Sequence, residues 1–302
     1  MAAALTSGHA VRRWSGENVT IAQIERALAD LRSDDPQGTP LLRTSVMTHL
    51  AWLPPEWVDL GLETLAGLAE RHPSRTILLV PQADAGSDRL DAVVRLEQFA
   101  GGEDEGEIAT EIVELHLLGA RTKAPASIVE PLLVFDLPVF LRWRGLPPFG
   151  SSELEQLVDV TDRLIVDSTE WPGLPRPYGE LAGLFDKAAV SDIAWARTSR
   201  WRAHLATFWP EIAGVETIRV RATEAQAHLL RGWLGSRLCH EIGLEHEPAE
   251  RLEGVALDGE PVPLPPGDPP SSSELLSDEL DEYGRDRVYE QAAIAAAQAQ
   301  LS

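Results

Sequence analysis

Cysteine is almost missing from this chain: Cys239 is the single thiol in 302 residues. An internal disulfide is therefore impossible, and an intramolecular dithiol switch is excluded with it. Lysine is nearly as scarce, with Lys123 and Lys187 alone, so arginine supplies almost all the basic charge. Positive charge is itself in deficit, 26 basic against 48 acidic side chains for a net of −22, and such a surface repels a polyphosphate backbone. Neither nucleic acid nor an anionic membrane is an expected partner. Long apolar runs are also lacking, because the most apolar stretch, Ile128 to Trp143, is broken by Glu130, Pro131, Asp136 and Pro138. Met1 to Thr20 carries Arg12 and Arg13 but no apolar core of signal-peptide length. A soluble, cytoplasmic protein is the expectation.

Catalytic signatures are wanting too. There is no GxxxxGK[ST] loop and no GxSxG elbow, and Gly101 to Gly106 (GGEDEG) sets three carboxylates where an anion would need backbone amides. Cys239 to Glu247 (CHEIGLEHE) resembles a metal site only in composition. His240 and His246 are six apart, about 240° around a helix at 3.6 residues per turn, so the segment reads as a solvated charged turn. No catalytic residue, metal or cofactor is expected.

What the chain does have is core material, 44% hydrophobic residues, in a length that suggests two units. Ile21, Ile24, Leu28 and Leu31 mark a first helix, closed by the turn residues Ser33 to Pro40. Leu41 to Leu53 reads as a strand, Pro54 to Glu70 as an amphipathic helix and Thr76 to Val80 as a buried strand, which together make a parallel crossover. Leu90 to Phe99 and Glu111 to Leu117 alternate like strands with one wet face, and Val139 to Trp143 and Arg163 to Val166 are further strands around a helix at Ser152 to Val158. Helices follow over Tyr178 to Ala189 and Ala196 to Trp209, then a strand at Ile218 to Val220. A helix opens there on the capping box Thr223/Gln226 and runs to about Leu238.

Pro248 to Pro270 is read as an extended connector without regular structure, followed by tail helices over Ser271 to Tyr283 and Asp286 to Leu301. The fold class is α/β, a mixed, partly parallel sheet flanked by helices with a smaller C-terminal α/β unit and a helical tail. The expected divisions are 1–40 (helix and linker), 41–190 (α/β domain), 191–247 (C-terminal unit), 248–272 (connector) and 273–302 (tail).

One constellation is conspicuous in so acidic a chain: His72, Ser74 and Arg75 before a strand, then Arg142, Trp143 and Arg144, and then Asp192, Trp195, Arg197, Arg200, Trp201 and Arg202. Two readings are open. Either these form a surface or pocket for a partner or an acidic group, or the tryptophans are core and the arginines pair with Asp162, Asp167 or Asp192.

The same residues lie in blocks that resemble the glucose-6-phosphate dehydrogenase assembly proteins, OpcA. They are Leu65 to Leu79 (LAGLAERHPSRTILL), Leu132 to Trp143 (LLVFDLPVFLRW), Asp162 to Ser168 (DRLIVDS), Asp192 to Ala206 (DIAWARTSRWRAHLA), and Glu279 to Ala292 with its Tyr289. The resemblance implies a non-catalytic partner that binds glucose-6-phosphate dehydrogenase, supports its assembly and activates it in the oxidative pentose phosphate pathway. Arg142 precedes Trp143 where that family tends to pair two tryptophans. Thiol control, described for cyanobacterial members, does not carry over to a chain with one cysteine. The alternative from another class is a sugar-phosphate or nucleotide sensor or enzyme with an anion site near His72 to Arg75.

Overall fold

The computed structural model describes residues 10–33, 45–61, 74–99 and 108–298. His72, the acidic loop Gly101 to Gly106 and most of the helix expected to reach Glu70 lie outside them. The chain divides into two compact units, residues 1–142 with 150–162 and residues 143–149 with 163–302.

Unit one is built on β1 (Ala10–Gly16), α1 (Ile21–Ser33), β2 (Met47–Trp52), β3 (Ser74–Gln82), β4 (Leu90–Phe99), β5 (Ile108–Leu118), α2 (Pro125–Val129), β6 (Val139–Trp143) and α3 (Ser152–Asp159). Its strands lie in the order β1-β4-β5-β3-β2-β6. Pairing is parallel for β2 with β3 and for β3 with β5, but antiparallel for β4 with both β5 and β1. The sheet is thus mixed and partly parallel. Ile77, Leu78, Leu79 and Val80 are all buried because β3 has a strand on either side and apolar cover on both faces. In β5, Val113, Leu115 and Leu117 point into the core, while Glu114 on the other face meets Arg95 and His116.

Unit two contains β7 (Arg163–Val166), α4 (Arg176–Ala182), β8 (Ala189–Asp192), α5 (Ile193–Ala196), α6 (Ser199–Ala206), β9 (Thr217–Ala222), α7 (Glu224–Leu238), β10 (Gly243–Pro248), β11 (Gly254–Leu257), β12 (Glu260–Pro261), α8 (Ser272–Asp281) and α9 (Arg287–Gln298). β7 and β8 are parallel, with Val166 opposite Asp192. A second sheet runs β10-β9-β11-β12, in which Ile218, Val220 and Ala222 of β9 face inward and Thr217, Arg219 and Arg221 outward. Thr223 and Gln226 form both halves of the expected capping box at the start of α7. The tail helix α9 packs against α7 and α4.

That last contact depends on the missing side chain of Gly232: a Cβ there would lie 2.2 Å from the carbonyl oxygen of Ala292 and 2.9 Å from the amide of Ala296. Backbone cannot yield as a side chain does. Gly232→Val is expected to cost about 1–3 kcal/mol and to expose α9 to proteolysis before the rest of unit two, checked by urea unfolding and limited digestion.

Several local expectations are corrected. Pro248 to Pro270 is not free of regular structure, since Gly254–Leu257 hydrogen-bonds along β9 and turns through Asp258 and Gly259, both at positive φ, into β12. Proline density hid a short hairpin. The segment Cys239 to Glu247 is a turn only at its start, because Gly243–Pro248 becomes a strand parallel to β9. The helix expected over Ala196 to Trp209 is confined to Ser199–Ala206, with Arg197 and Thr198 separating it from the short α5 that ends at Ala196, and the helix expected from Tyr178 to Ala189 closes at Ala182. β1 has no strand signal of its own: Arg12 and Arg13 spoil any apolar alternation, and its partner β4 is what makes it a strand. Among the described residues no helix is long and apolar enough to cross a membrane.

Candidate functional site

Parallel strands deliver their C-terminal ends to one side of a sheet, where loops commonly carry function. Here β7 and β8 deliver Asp167 and Asp192, and Ser168 follows directly. Asp192 Oδ1 accepts the amides of Ser168 (3.0 Å) and Ala194 (2.9 Å), so the carboxylate caps α5. Its Oδ2 accepts the Ser168 hydroxyl at 2.6 Å and the Tyr289 hydroxyl at 3.4 Å. Ser168 Oγ is 2.9 Å from the Tyr178 hydroxyl, which reaches the carbonyl of Ala225 at 3.4 Å. Strand end, α4, α7 and α9 are thereby tied to one carboxyl group.

Asp192, Ser168, Tyr178 and Tyr289 are each 0% exposed. Burial, with the nearby Asp167 carboxylate, pushes Asp192 up to about 7, and both tyrosines are raised well above their ordinary value by the same burial and by Asp192. A carboxyl titrating near neutrality would suit acid–base chemistry, but its oxygens are all taken by the chain's own donors and none meets solvent. What the arrangement does chemically is hold a proton and orient four elements.

The arginines and tryptophans named from the sequence divide by unit. In unit one, Arg75 is buried; its Nε donates to Glu111 at 2.7 Å and its Nη1 to the carbonyl of Leu132 at 2.7 Å. Ser74 is buried beside Thr76, Arg142 is buried on β6, and His72 lies outside the described residues. The guanidinium of Arg75 is therefore held by the protein itself, which lends nothing to an anion site there. In unit two, Trp143, Trp195 and Trp201 are buried at 2%, 3% and 4% exposure, and Arg144 lies 3.1 Å from Glu170. Arg197 grips Asp167 through Nη1 at 3.0 and 2.9 Å, one of the carboxylates the sequence nominated. Arg200 Nη2 donates to the carbonyls of Pro265, Pro266 and Gly267.

Arg202 is different. Its guanidinium carbon sits 3.4 Å from the centroid of Trp195, and its Nε donates to Thr198 Oγ1 at 2.9 Å. The structure thus gathers Asp192, Trp195, Arg197 and Arg202 with residues that the sequence reading passed over, namely Ser168, Tyr178 and Asp286, whose Oδ2 accepts Trp195 Nε1 at 2.8 Å. The hydroxyls carry no motif, and only the clustering of Asp-Ser and Asp-Ile at two strand ends hinted at them. His240 and His246 each hydrogen-bond a backbone carbonyl, of Val215 and Ala222, and among the described residues no group of three His, Cys, Asp or Glu side chains could hold a metal ion.

Fold and cluster together define an α/β protein whose cluster of perturbed ionisable groups works on the inside, as a structural tie. Residues 66–184 match the family model described as the glucose-6-phosphate dehydrogenase subunit N-terminal domain, and residues 188–265 match its C-terminal counterpart. The chain belongs to this glucose-6-phosphate dehydrogenase assembly family, OpcA. Relatives whose names place them in the OxPP cycle as OpcA include one from Synechocystis, 24% identical over 184 residues, covering 57% of this chain and 38% of its own length. Others come from Nostoc punctiforme, 24% identical (57% and 39% covered), and Synechococcus elongatus, 23% identical over 181 residues (57% and 41% covered). The chain matches only about two fifths of the length of these relatives.

Proposed function

We propose that this chain is a non-catalytic partner of glucose-6-phosphate dehydrogenase, which binds the enzyme, supports its assembly and raises its activity in the oxidative pentose phosphate pathway. The observation that carries this reading is the match of residues 66–184 and 188–265, in order, to domains named for a subunit of that dehydrogenase. The closure of the Asp192 cluster agrees with it, since a partner needs no group open to substrate. An activator must bind the active form of its target more tightly than the inactive one, and tenfold activation asks for about 1.4 kcal/mol of that difference. The net charge of −22 continues to weigh against a nucleic-acid partner.

The test is a titration of the chain into its host's glucose-6-phosphate dehydrogenase with rate and particle mass followed together. Both are expected to rise and saturate at one ratio; an enzyme unchanged in size and speed refutes the proposal. Just beyond α6, Trp209 is 65% exposed, unlike the buried tryptophans, and is our choice of contact anchor. Trp209→Ala is expected to weaken association by about tenfold or more with the melting temperature unmoved. Equal affinity in a pull-down series would remove this residue from the interface.

A further inference from the structure

In unit one, the turn that leads into β6 carries Phe135, which is 88% exposed. A single apolar side chain in water is ordinary and calls for no cause. This one is neither isolated nor loosely held. Its neighbours Leu133, Val134 and Leu137 are only half-buried, and Val46, two residues before the Thr48 that anchors the turn, is 46% exposed. Aromatic rings gain most from burial, and the fold gives this ring almost none.

The backbone beneath the ring is tied at both feet. The amide of Leu137 donates to the carbonyl of Val134 at 3.3 Å and closes the turn. On one side the amide of Val134 donates to Thr48 Oγ1 at 3.3 Å; on the other the carbonyl of Pro138 accepts the amide of Thr48 at 2.8 Å. Val139 is then held by Asp162, whose Oδ2 accepts its amide at 2.8 Å. Asp136, next to the ring, has a φ of +61°, a left-handed conformation that persists in a residue other than glycine only where its surroundings impose it. A knob presented on so fixed a support loses little freedom when it is buried by a partner. The exposed carboxylates of Glu130 and Asp136 flank it, so the surface that receives the ring must tolerate or prefer negative charge. Neither an anionic bilayer nor a second copy, itself at −22 and bringing the same two carboxylates, meets that condition.

We propose that Phe135 is a docking knob that seats in an apolar pocket of glucose-6-phosphate dehydrogenase, a pocket whose rim is basic where it meets Asp136 and Glu130. The assignment rests on the dehydrogenase reading and gives unit one an anchor of its own, as Trp209 does for unit two.

Calorimetric titration of the full chain and its variants into the host's dehydrogenase tests the proposal, with sedimentation of the chain alone beside it. Phe135→Ser is expected to raise Kd about tenfold or more with the melting temperature unmoved, because the ring lends the fold almost no burial. Phe135→Leu should recover much of the loss, since an apolar knob remains. Asp136→Asn keeps the turn, asparagine being at ease in the left-handed region, and should weaken binding severalfold and reduce its dependence on salt. A Phe135→Ser chain that binds as the parent does would overturn the knob and leave the dehydrogenase reading standing. A parent that does not bind at all would refute that reading and the knob with it. Equal affinity and salt dependence in Asp136→Asn would overturn the basic rim. Self-association, or sedimentation with anionic phospholipid vesicles, that Phe135→Ser abolishes would give the ring a different occupant and overturn the assignment.

Discussion

Replacing Glu111 with glutamine is expected to destabilise unit one by about 3–5 kcal/mol, the range for breaking a buried ion pair from one side. Side-chain exposure is 8% for Arg75 and 6% for Glu111, and Arg32 at the end of α1 donates to the other carboxylate oxygen. One anion therefore answers two cations, and glutamine would leave the buried one unpaired. Arg32 is 30% exposed and can turn to water, but Arg75 is pinned by Leu132 and cannot. The double change Arg75→Met with Glu111→Leu is accordingly expected to recover most of the loss, since both buried charges go together. Urea unfolding at neutral pH measures both; a single variant within about 1 kcal/mol of the parent would deny Glu111 this role.

Acid should act in the same direction. Burial alone would raise the Glu111 carboxyl, but the hydrogen bond from Arg32 and the charges of Arg75 and Arg32 outweigh it and hold the group below its ordinary 4.5. A folded pKa below the unfolded one means stability that is present above 4.5 and lost as pH falls through the folded value.

Asp192 has the opposite sign. Its folded value of about 7 against an ordinary 3.8 means the folded state keeps a proton that the unfolded chain has released. Stability from this group is full below 3.8, declines as pH rises toward about 7 and is flat above, a total of about 4 kcal/mol at about 1.4 kcal/mol per pH unit. Asp192→Asn should flatten that decline. Asparagine Oδ1 can keep the amides of Ser168 and Ala194, and its Nδ2 can donate to Ser168 Oγ, which then donates to Tyr178. Glu279 is raised by burial too and Glu114 is lowered, so the parent's curve is a composite; the difference between parent and variant isolates Asp192. Melting temperatures from pH 4 to pH 8 should diverge in favour of the variant as pH rises. Parallel curves would mean that Asp192 stays ionised in the folded protein.

Much of the framework was legible along the chain. The uninterrupted run Ile77 to Val80 announced a central strand, and Thr223 with Gln226 announced a helix start, because both are local properties of side-chain type and spacing. β1 and β11 were not legible, since neither has a pattern of its own and each exists by hydrogen-bonding to a neighbour far along the chain, Ala10–Gly16 to β4 and Gly254–Leu257 to β9. The candidate site divides the same way. Trp195, Arg197 and Arg202 stood out by type, but Ser168 and Tyr289 come to Asp192 from 24 and 97 residues away along the chain, and Tyr178 joins them through Ser168.

What the amino-acid order settled alone was class and exclusion: an α/β chain of high negative charge, without a disulfide, and with the ordered blocks that mark its family. Direction was left to the tertiary structure, in particular which conspicuous residues face inward. Trp143, Trp195 and Trp201 went to the core while Trp209 stayed outside, and Arg75 found a carboxylate while Arg202 found a ring and the Thr198 hydroxyl. Composition counts charges and rings, but pairing and burial depend on which distant segments meet, and that is decided when strands and helices pack.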